Sequence, residues 1–252
     1  KALCLTMIVK NESKIIERCL ESVKDIVDCI SICDTGSTDN TIEIIESFMK
    51  THAIPGKVHR HTWENFGHNR TLSFQAAQEV IQELKFSSPD TYCLLIDADM
   101  ILNVTPTFDK KVLVADAYKI LQKSEIHSYY NVRVVRASLS WKSVGVTHEY
   151  WAAKEAHQIL TLNSLWIDDQ GDGGCKADKF ERDLKLLKKG LEENPDNVRY
   201  QFYLAQTYKC LGQYEPAITW YKSRIAKGGW KEEVWYSKWM IGECYQKKGD
   251  WN

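Results

Sequence analysis

Short unbroken apolar runs alternate along the chain with segments whose apolar residues recur every three to four positions. Leu3 to Val9 is the first run, closed by Lys10-Asn11-Glu12, and predicts a buried strand that opens into a polar loop. Ser13 is placed to cap a helix with Ile15, Ile16, Cys19, Leu20 and Val23 on one face. A second strand, Ile26 to Cys33, runs into Asp34-Thr35-Gly36-Ser37-Thr38-Asp39 and then a helix that turns Ile42, Ile45, Phe48 and Met49 inward. A weak strand near Lys57 to His61, a helix from about Gly67 to Leu84 and a strand from Tyr92 to Ile96 continue the rhythm. Strand and helix in alternation predict a parallel sheet with helices packed on its faces.

Beyond Asp99 the period changes to two, in Tyr118 to Gln122, Tyr130 to Arg136 and Val144 to Trp151. These predict antiparallel strands and hairpins added to the sheet, with a helical alternative open for Lys111 to Lys123. From Lys179 onward the pattern is helical only. Leu204, Ala205, Tyr208, Gly212, Tyr214, Ala217, Ile218 and Tyr221 stand at the offsets of the tetratricopeptide repeat, and Ile241, Gly242, Tyr245, Gly249 and Trp251 restart it 37 residues later. The expected organisation is an α/β domain over residues 1–175 and tetratricopeptide-like helical repeats over 176–252. Such repeats bury their faces against neighbours, so the array is expected to continue beyond Asn252. With Lys1 in place of Met, the chain is expected to be a segment of something longer.

Composition narrows the function classes. With 44% hydrophobic and 27% charged residues over 252 positions, the chain is neither disordered, collagenous nor a coiled coil. Its 33 Lys and Arg against 34 Asp and Glu leave a net charge of −1, which argues against nucleic acid or an acidic membrane as general partner. No apolar run approaches the roughly 18 residues of a spanning helix. Eight cysteines without a CxxC pair predict reduced, mostly buried thiols rather than a disulfide framework or zinc ribbon. Three N-glycosylation sequons begin at Asn11, Asn69 and Asn103, and two of them fall in the presumed ligand site. Together with unpaired cysteines they point to the cytoplasm.

Ligands bind open parallel sheets at the carboxyl ends of the strands. Three polar clusters fall there: Lys10-Asn11-Glu12, Asp34 to Asp39, and Asp97-Ala98-Asp99. Two carboxylates after the apolar Tyr-Cys-Leu-Leu-Ile run are costly unless a cation meets them. Magnesium or manganese bridging two phosphates is one such cation, and it would neutralise a departing nucleoside diphosphate.

In that order and spacing, Val9-Lys10-Asn11-Glu12, Asp34-Thr35-Gly36-Ser37-Thr38-Asp39 and Asp97-Ala98-Asp99 resemble the signatures of family 2 glycosyltransferases of the GT-A fold. The subgroup with tetratricopeptide-like repeats is the nearest. The resemblance extends through Thr147-His148-Glu149-Tyr150-Trp151 and Gly171 to Asp183. It implies that Val9, Asn11, Glu12 and Asp34 hold the nucleoside, with Asp34 accepting from a uracil N–H or a ribose hydroxyl. It implies that Asp97 faces ribose or metal, that Asp99 binds Mn2+ or Mg2+, and that Arg70, in Phe66 to Arg70, faces the diphosphate.

Inversion at the anomeric carbon needs a general base near the acceptor. The Glu-Asp pair that serves many relatives is missing, so Glu149 is the nominee, with His148 expected on the opposite strand face as a metal ligand. Asp168, Asp169 and Asp172 are expected in a glycine-rich loop able to close over the donor, where relatives often carry His near Asp168. Lys176, Lys179 and Arg182 are candidates to offset phosphate charge, and Trp63, Trp141 and Trp151 to stack on sugar. The expected reaction is metal-dependent sugar transfer from a UDP-sugar to a hydroxyl on a glycan or protein, with the repeats binding a protein partner. A catalytically silent scaffold is the alternative. A nucleotidyltransferase fits less well, since Lys10-Asn11-Glu12-Ser13 is not the glycine-rich loop those enzymes open with.

Overall fold

The computed structural model describes residues 1–174 and 178–249. Cys175, Lys176 and Trp251 lie outside the described residues. The chain divides into two compact units, Lys1–Val144 with Glu149–Lys176, and Gly145–His148 with Ala177–Asn252.

The first unit is built on an eight-stranded mixed sheet. Its strands are β1 (Ala2–Val9), β2 (Cys29–Asp34), β3 (Gly56–Arg60), β4 (Thr91–Leu95), β5 (Met100–Val104), β6 (Ala117–Lys123), β7 (Ser128–Arg136) and β10 (Ile159–Asp169). They lie in the order β3-β2-β1-β4-β7-β6-β10-β5. The strands β3, β2, β1 and β4 are parallel, and β7 is antiparallel to both β4 and β6. Successive connections leave β1 on opposite sides, to β2 and then to β4. That reversal opens a crevice at the carboxyl ends of these strands.

Both sheet faces are covered, which is why β1 reads as an unbroken apolar run. Leu3, Leu5 and Met7 pack toward α1 (Ile16–Val23) and α2 (Thr41–Thr51), in one core with Leu20, Ile45 and Phe48. Cys4 faces the other way, into a core with Phe74, Ala77 and Ile81 of α3 (Phe66–Glu83) and with Trp141. Where β3 passes β2, a Cβ on Gly56 would come within 2.2 Å of the Ile30 carbonyl oxygen, so only glycine fits.

Three expectations are corrected. Val144 to Trp151 is not one strand of the main sheet: β8 (Lys142–Val144) and β9 (Tyr150–Ala152) form their own hairpin. The residues between them turn through positive φ at Gly145 and His148, which a strand does not allow. Lys111 to Lys123 is not helical, because a 3-10 turn at Lys110–Val112 leads into β6. Asp168 and Asp169 end the long strand β10 rather than lying in a loop, and β10 runs parallel to β6 and antiparallel to β5.

The second unit consists of α4 (Lys179–Glu193), α5 (Val198–Cys210), α6 (Tyr214–Ala226) and α7 (Lys231–Lys248), with consecutive helices in contact. Its core joins Leu187, Phe202, Leu204, Ala205, Tyr208, Ala217, Ile218, Tyr221 and Met240. Asn197 caps α5 by accepting from the Tyr200 N–H at 3.0 Å. A buried ion pair, Arg224 Nε to Glu233 Oε2 at 2.5 Å, ties α6 to α7. Within the same unit the His148 ring stacks on Tyr203 at 4.0 Å, and Arg199 donates to the His148 carbonyl at 2.7 Å.

No helix among the described residues is long and apolar enough to cross a membrane. The seven described cysteines are free, and all but Cys210 are buried.

Candidate functional site

Two of the polar clusters hold each other. Asn11 adopts φ 56°, a left-handed conformation that asparagine tolerates. Its Oδ1 accepts from the Thr38 N–H at 2.7 Å, and its own N–H donates to Ser37 Oγ at 2.9 Å. The Glu12 N–H donates to Thr41 Oγ1 at 2.8 Å, and the Val9 carbonyl accepts from both the N–H and the hydroxyl of Thr35. Val9 and Asn11 thus shape the loop after β2, which holds the carboxylates of Asp34 and Asp39 at its two ends.

Asp34 is 2% exposed. Its Oδ1 accepts from the N–H groups of Gly36 and Ser37, both at 2.9 Å, while Oδ2 is buried with no hydrogen-bond partner among the described residues. A buried acceptor in that condition is expensive unless a ligand supplies the donor. Asp34 lines a cleft of ≈ 510 Å³ with Thr35, Ile42, Arg60, His61, Thr62 and Trp63. Trp63 is held edge-on to Phe66 at 4.9 Å. The sequence reading missed Arg60, His61 and Thr62. The signal was available, since they stand at the carboxyl end of β3 as the other clusters stand at theirs.

Beyond β4, Asp97 meets its cations within the protein. Arg70 Nη1 lies 2.6 Å from Asp97 Oδ1 and Arg70 Nε lies 2.6 Å from Glu149 Oε1, so one guanidinium bridges two carboxylates. Arg133 Nη1 stands 3.6 Å from Asp97 Oδ2. Burial pushes the Asp97 carboxyl up, but the charges of Arg70 and Arg133 outweigh it and hold Asp97 below the usual carboxylate range. Burial also opposes charge on Arg70, and Asp97 and Glu149 reverse that and raise it.

Residues 170–174 lie against Asn11, Glu12 and Asp99. The Gly174 N–H donates to Glu12 Oε2 at 3.0 Å, and the Gln170 N–H to the Asp99 carbonyl at 3.0 Å. A Cβ on Gly174 would sit 2.8 Å from the Asn11 carbonyl oxygen, and one on Gly173 would sit 3.1 Å from Asp99 Oδ2. Asp172 forms a two-pronged bond to Arg18 at 2.9 and 2.7 Å. Burial raises the Glu12 carboxyl, the Gly174 N–H opposes this, and the charges of Asp99, Asp97 and Asp39 add to the rise.

The remaining predicted residues separate. His148 falls in the helical unit, and neither it nor Glu149 lies on a strand. Among the described residues no group of three or more His, Cys, Asp and Glu is placed to hold a metal ion. Asp168 accepts from Asn103 Nδ2 at 2.7 Å and Asp169 from Gln122 Nε2 at 2.9 Å. Trp141 is buried and Trp151 packs against Phe74, so of the three tryptophans singled out only Trp63 lines the cleft. Lys179 lies over the Phe180 ring and Arg182 pairs with Asp183.

Residues 4–113 match the family model described as Glycosyl transferase family 2. The SPbeta prophage-derived glycosyltransferase SunS of Bacillus subtilis (strain 168) is 26% identical over 237 residues, 87% of this chain and 52% of that protein. The glycosyltransferase SunS of Bacillus phage SPbeta matches to the same extent. The chain therefore spans about half the length of the curated relatives it matches. Among solved structures, TarS 1-349 of S. aureus in complex with UDP shares the fold at 13% identity and a TM-score of 0.51, over 99% of this chain and 90% of that one. Residues 4–113 of the first unit thus resemble the Glycosyl transferase family 2 model, and they lie on a GT-A-like mixed sheet with flanking helices.

Proposed function

We propose that this protein transfers a sugar from a nucleotide diphosphate donor, a UDP-sugar, to an acceptor hydroxyl on a glycan or protein. The observation that carries the reading is the orphaned Asp34 Oδ2 beside a cleft at the carboxyl end of β2. Uracil N3–H or a ribose hydroxyl is the donor such an oxygen needs, and the TarS neighbour was solved with UDP. Asp99 and Glu12 offer the hard oxygen donors that suit Mn2+ or Mg2+, with substrate phosphate oxygens completing the shell. Asp97, whose oxygens already face arginines, serves the ribose end of the donor and reaches a metal only by exchanging a partner. We assign no ligand role to His148.

In this reading Arg70 is the diphosphate residue. Its fork bridges Asp97 and Glu149. A turn toward an arriving diphosphate exchanges one pair of anions for another and frees Glu149 to take the acceptor proton. A divalent cation held by Asp99 and Glu12 would supply charge neutralisation for the leaving diphosphate, and the protein supplies positioning.

Helices α4–α7 are read as tetratricopeptide-like and as the surface for a protein acceptor or partner. The small and aromatic core of Ala205, Tyr208, Ala217 and Tyr221 supports that reading, as do exposed Trp230, Trp235 and Trp239. The cytoplasmic assignment has support from Asn69, which is 1% exposed and bonded to the Thr62 carbonyl, leaving no room for a glycan on its sequon. The scaffold reading draws on one observation, the closure of Glu149 and Asp97 on arginines.

Thermal shift separates the two. UDP with manganese is expected to raise the midpoint of the wild type, and Asp99→Ala to abolish the manganese-dependent part of the rise. If no nucleoside diphosphate at millimolar concentration moves the wild type, transfer is refuted and the scaffold reading stands.

A further inference from the structure

The second cation on Asp97 is held quite differently from the first. Arg70 bridges two partly exposed carboxylates, whereas Arg133 is 8% exposed and bonded on every side by neutral acceptors before it reaches Asp97. Its Nε and Nη2 donate to Gln122 Oε1 at 3.2 and 2.8 Å, and its Nη1 donates to the Leu95 carbonyl at 3.2 Å. Gln122 is itself 2% exposed, and its Nε2 donates to Asp169 Oδ2 at 2.9 Å. That bond fixes which end of the amide faces Arg133.

The backbone has the same aim. Across β6 and β7, Tyr118 pairs with Val134 and Lys119 pairs with Val132, which leaves Arg133 as the extra residue of a β-bulge. Bulges re-aim a side chain at the cost of one ladder position, and they gather beside active sites. Here β7 also pairs with β4, Leu94 against Val134, so the bulged residue arrives beside Leu95, two positions before Asp97.

We propose that Arg133 is a positioning residue of the donor site: a fixed counter-ion that holds Asp97 in place while Arg70 turns to the donor. Asp169, Gln122 and Arg133, from three neighbouring strands, form one relay, buried at Gln122 and Arg133, that ends on Asp97. The proposal rests on the nucleotide-donor reading above. Without Arg133, the exchange of Arg70 onto a diphosphate would leave the half-buried Asp97 as an unpaired charge beside the donor, at a cost to donor binding.

The test is a double-mutant cycle read as UDP affinity by calorimetry with manganese present. Arg133→Met is expected to weaken UDP about tenfold, a loss on the scale of one charge-assisted bond. Arg133→Lys is expected to recover part of it. Asp97→Asn weakens UDP on its own, and adding Arg133→Met to it is expected to cost nothing further, because the relay then has no carboxylate to hold. Loss of packing alone would instead make the two effects multiply. Gln122→Met, which leaves the guanidinium in place but unlocked, is expected to give a smaller loss with the same non-additivity. It carries the cycle if Arg133→Met does not fold. Multiplying effects, or wild-type affinity in either Arg133→Met or Gln122→Met, overturn the proposal. A wild type that fails to bind UDP overturns the donor reading itself, before any variant is compared.

Discussion

Asp34→Asn separates the two oxygens of one carboxylate. The Oδ1 position accepts two backbone N–H groups at 2.9 Å, and the Oδ2 position has no partner among the described residues. An asparagine must place its carbonyl oxygen at the first position, because an NH2 there would face two N–H donors. The amide NH2 is therefore forced to where Oδ2 stood. The loop keeps its two hydrogen bonds, now to a neutral acceptor, at a cost of about 1 kcal/mol of stability. A uracil N3–H at that position meets a donor instead of an acceptor. Losing a hydrogen bond to a charged group is worth about 1.5–3 kcal/mol, so UDP affinity is expected to fall by about 10- to 150-fold. Cytosine carries an acceptor at N3, so CDP is expected to gain relative to UDP on the same variant. Calorimetric titration of both nucleotides into wild type and Asp34→Asn measures the swap directly. The reasoning is refuted if Asp34→Asn binds UDP within twofold of wild type, and the base assignment fails if both nucleotides weaken equally.

Two further variants test the frame around the site. Arg224→Met leaves Glu233, 6% exposed, as an unpaired buried charge and releases the Gly228 carbonyl. Urea melts are expected to show a loss of about 3–5 kcal/mol that Arg224→Met/Glu233→Met largely restores, and a loss below about 1 kcal/mol refutes it. Burial raises the Asp39 carboxyl, but hydrogen bonds from Ser13 and Thr41 bring it down to about 2. Its folded value lies below its unfolded one, so its stabilisation is present above about pH 4 and lost as pH falls toward 2. Over that window, Asp39→Asn is expected to lose less stability than wild type in urea melts, and parallel curves exclude the contribution.

Strands β1, β2 and β4 were legible because both faces of each are buried. Leu3 to Val9 and Tyr92 to Ile96 therefore announced themselves as apolar runs, and the polar residues after them marked the crevice. β5 and β10 gave no such signal. β10 begins with exposed Ile159 and Leu160 and changes register between Thr161 and Trp166, so no single period runs through it. Arg133 was hidden for a related reason. A single arginine between Val132 and Val134 carries no local sign of burial, and the bulge that leaves it unpaired with β6 depends on a pairing across strands. Asp34 and the Asp97 pair were visible from their positions, but the cations opposite Asp97 come from α3 and β7, whose approach no local spacing reveals.

The pairing of β5 with β10 also bears on how the site is assembled during synthesis. Met100 is the residue directly after Asp99, and its partner across the ladder is Asp169. A nascent chain that has reached residue 113, where the family match ends, carries both acidic side chains but lacks the strand that fixes the second of them. Such distant pairings form slowly, since the intervening loop must close first. The carboxylate pair is thus read early from the gene and becomes a site only after more than fifty further residues have been made.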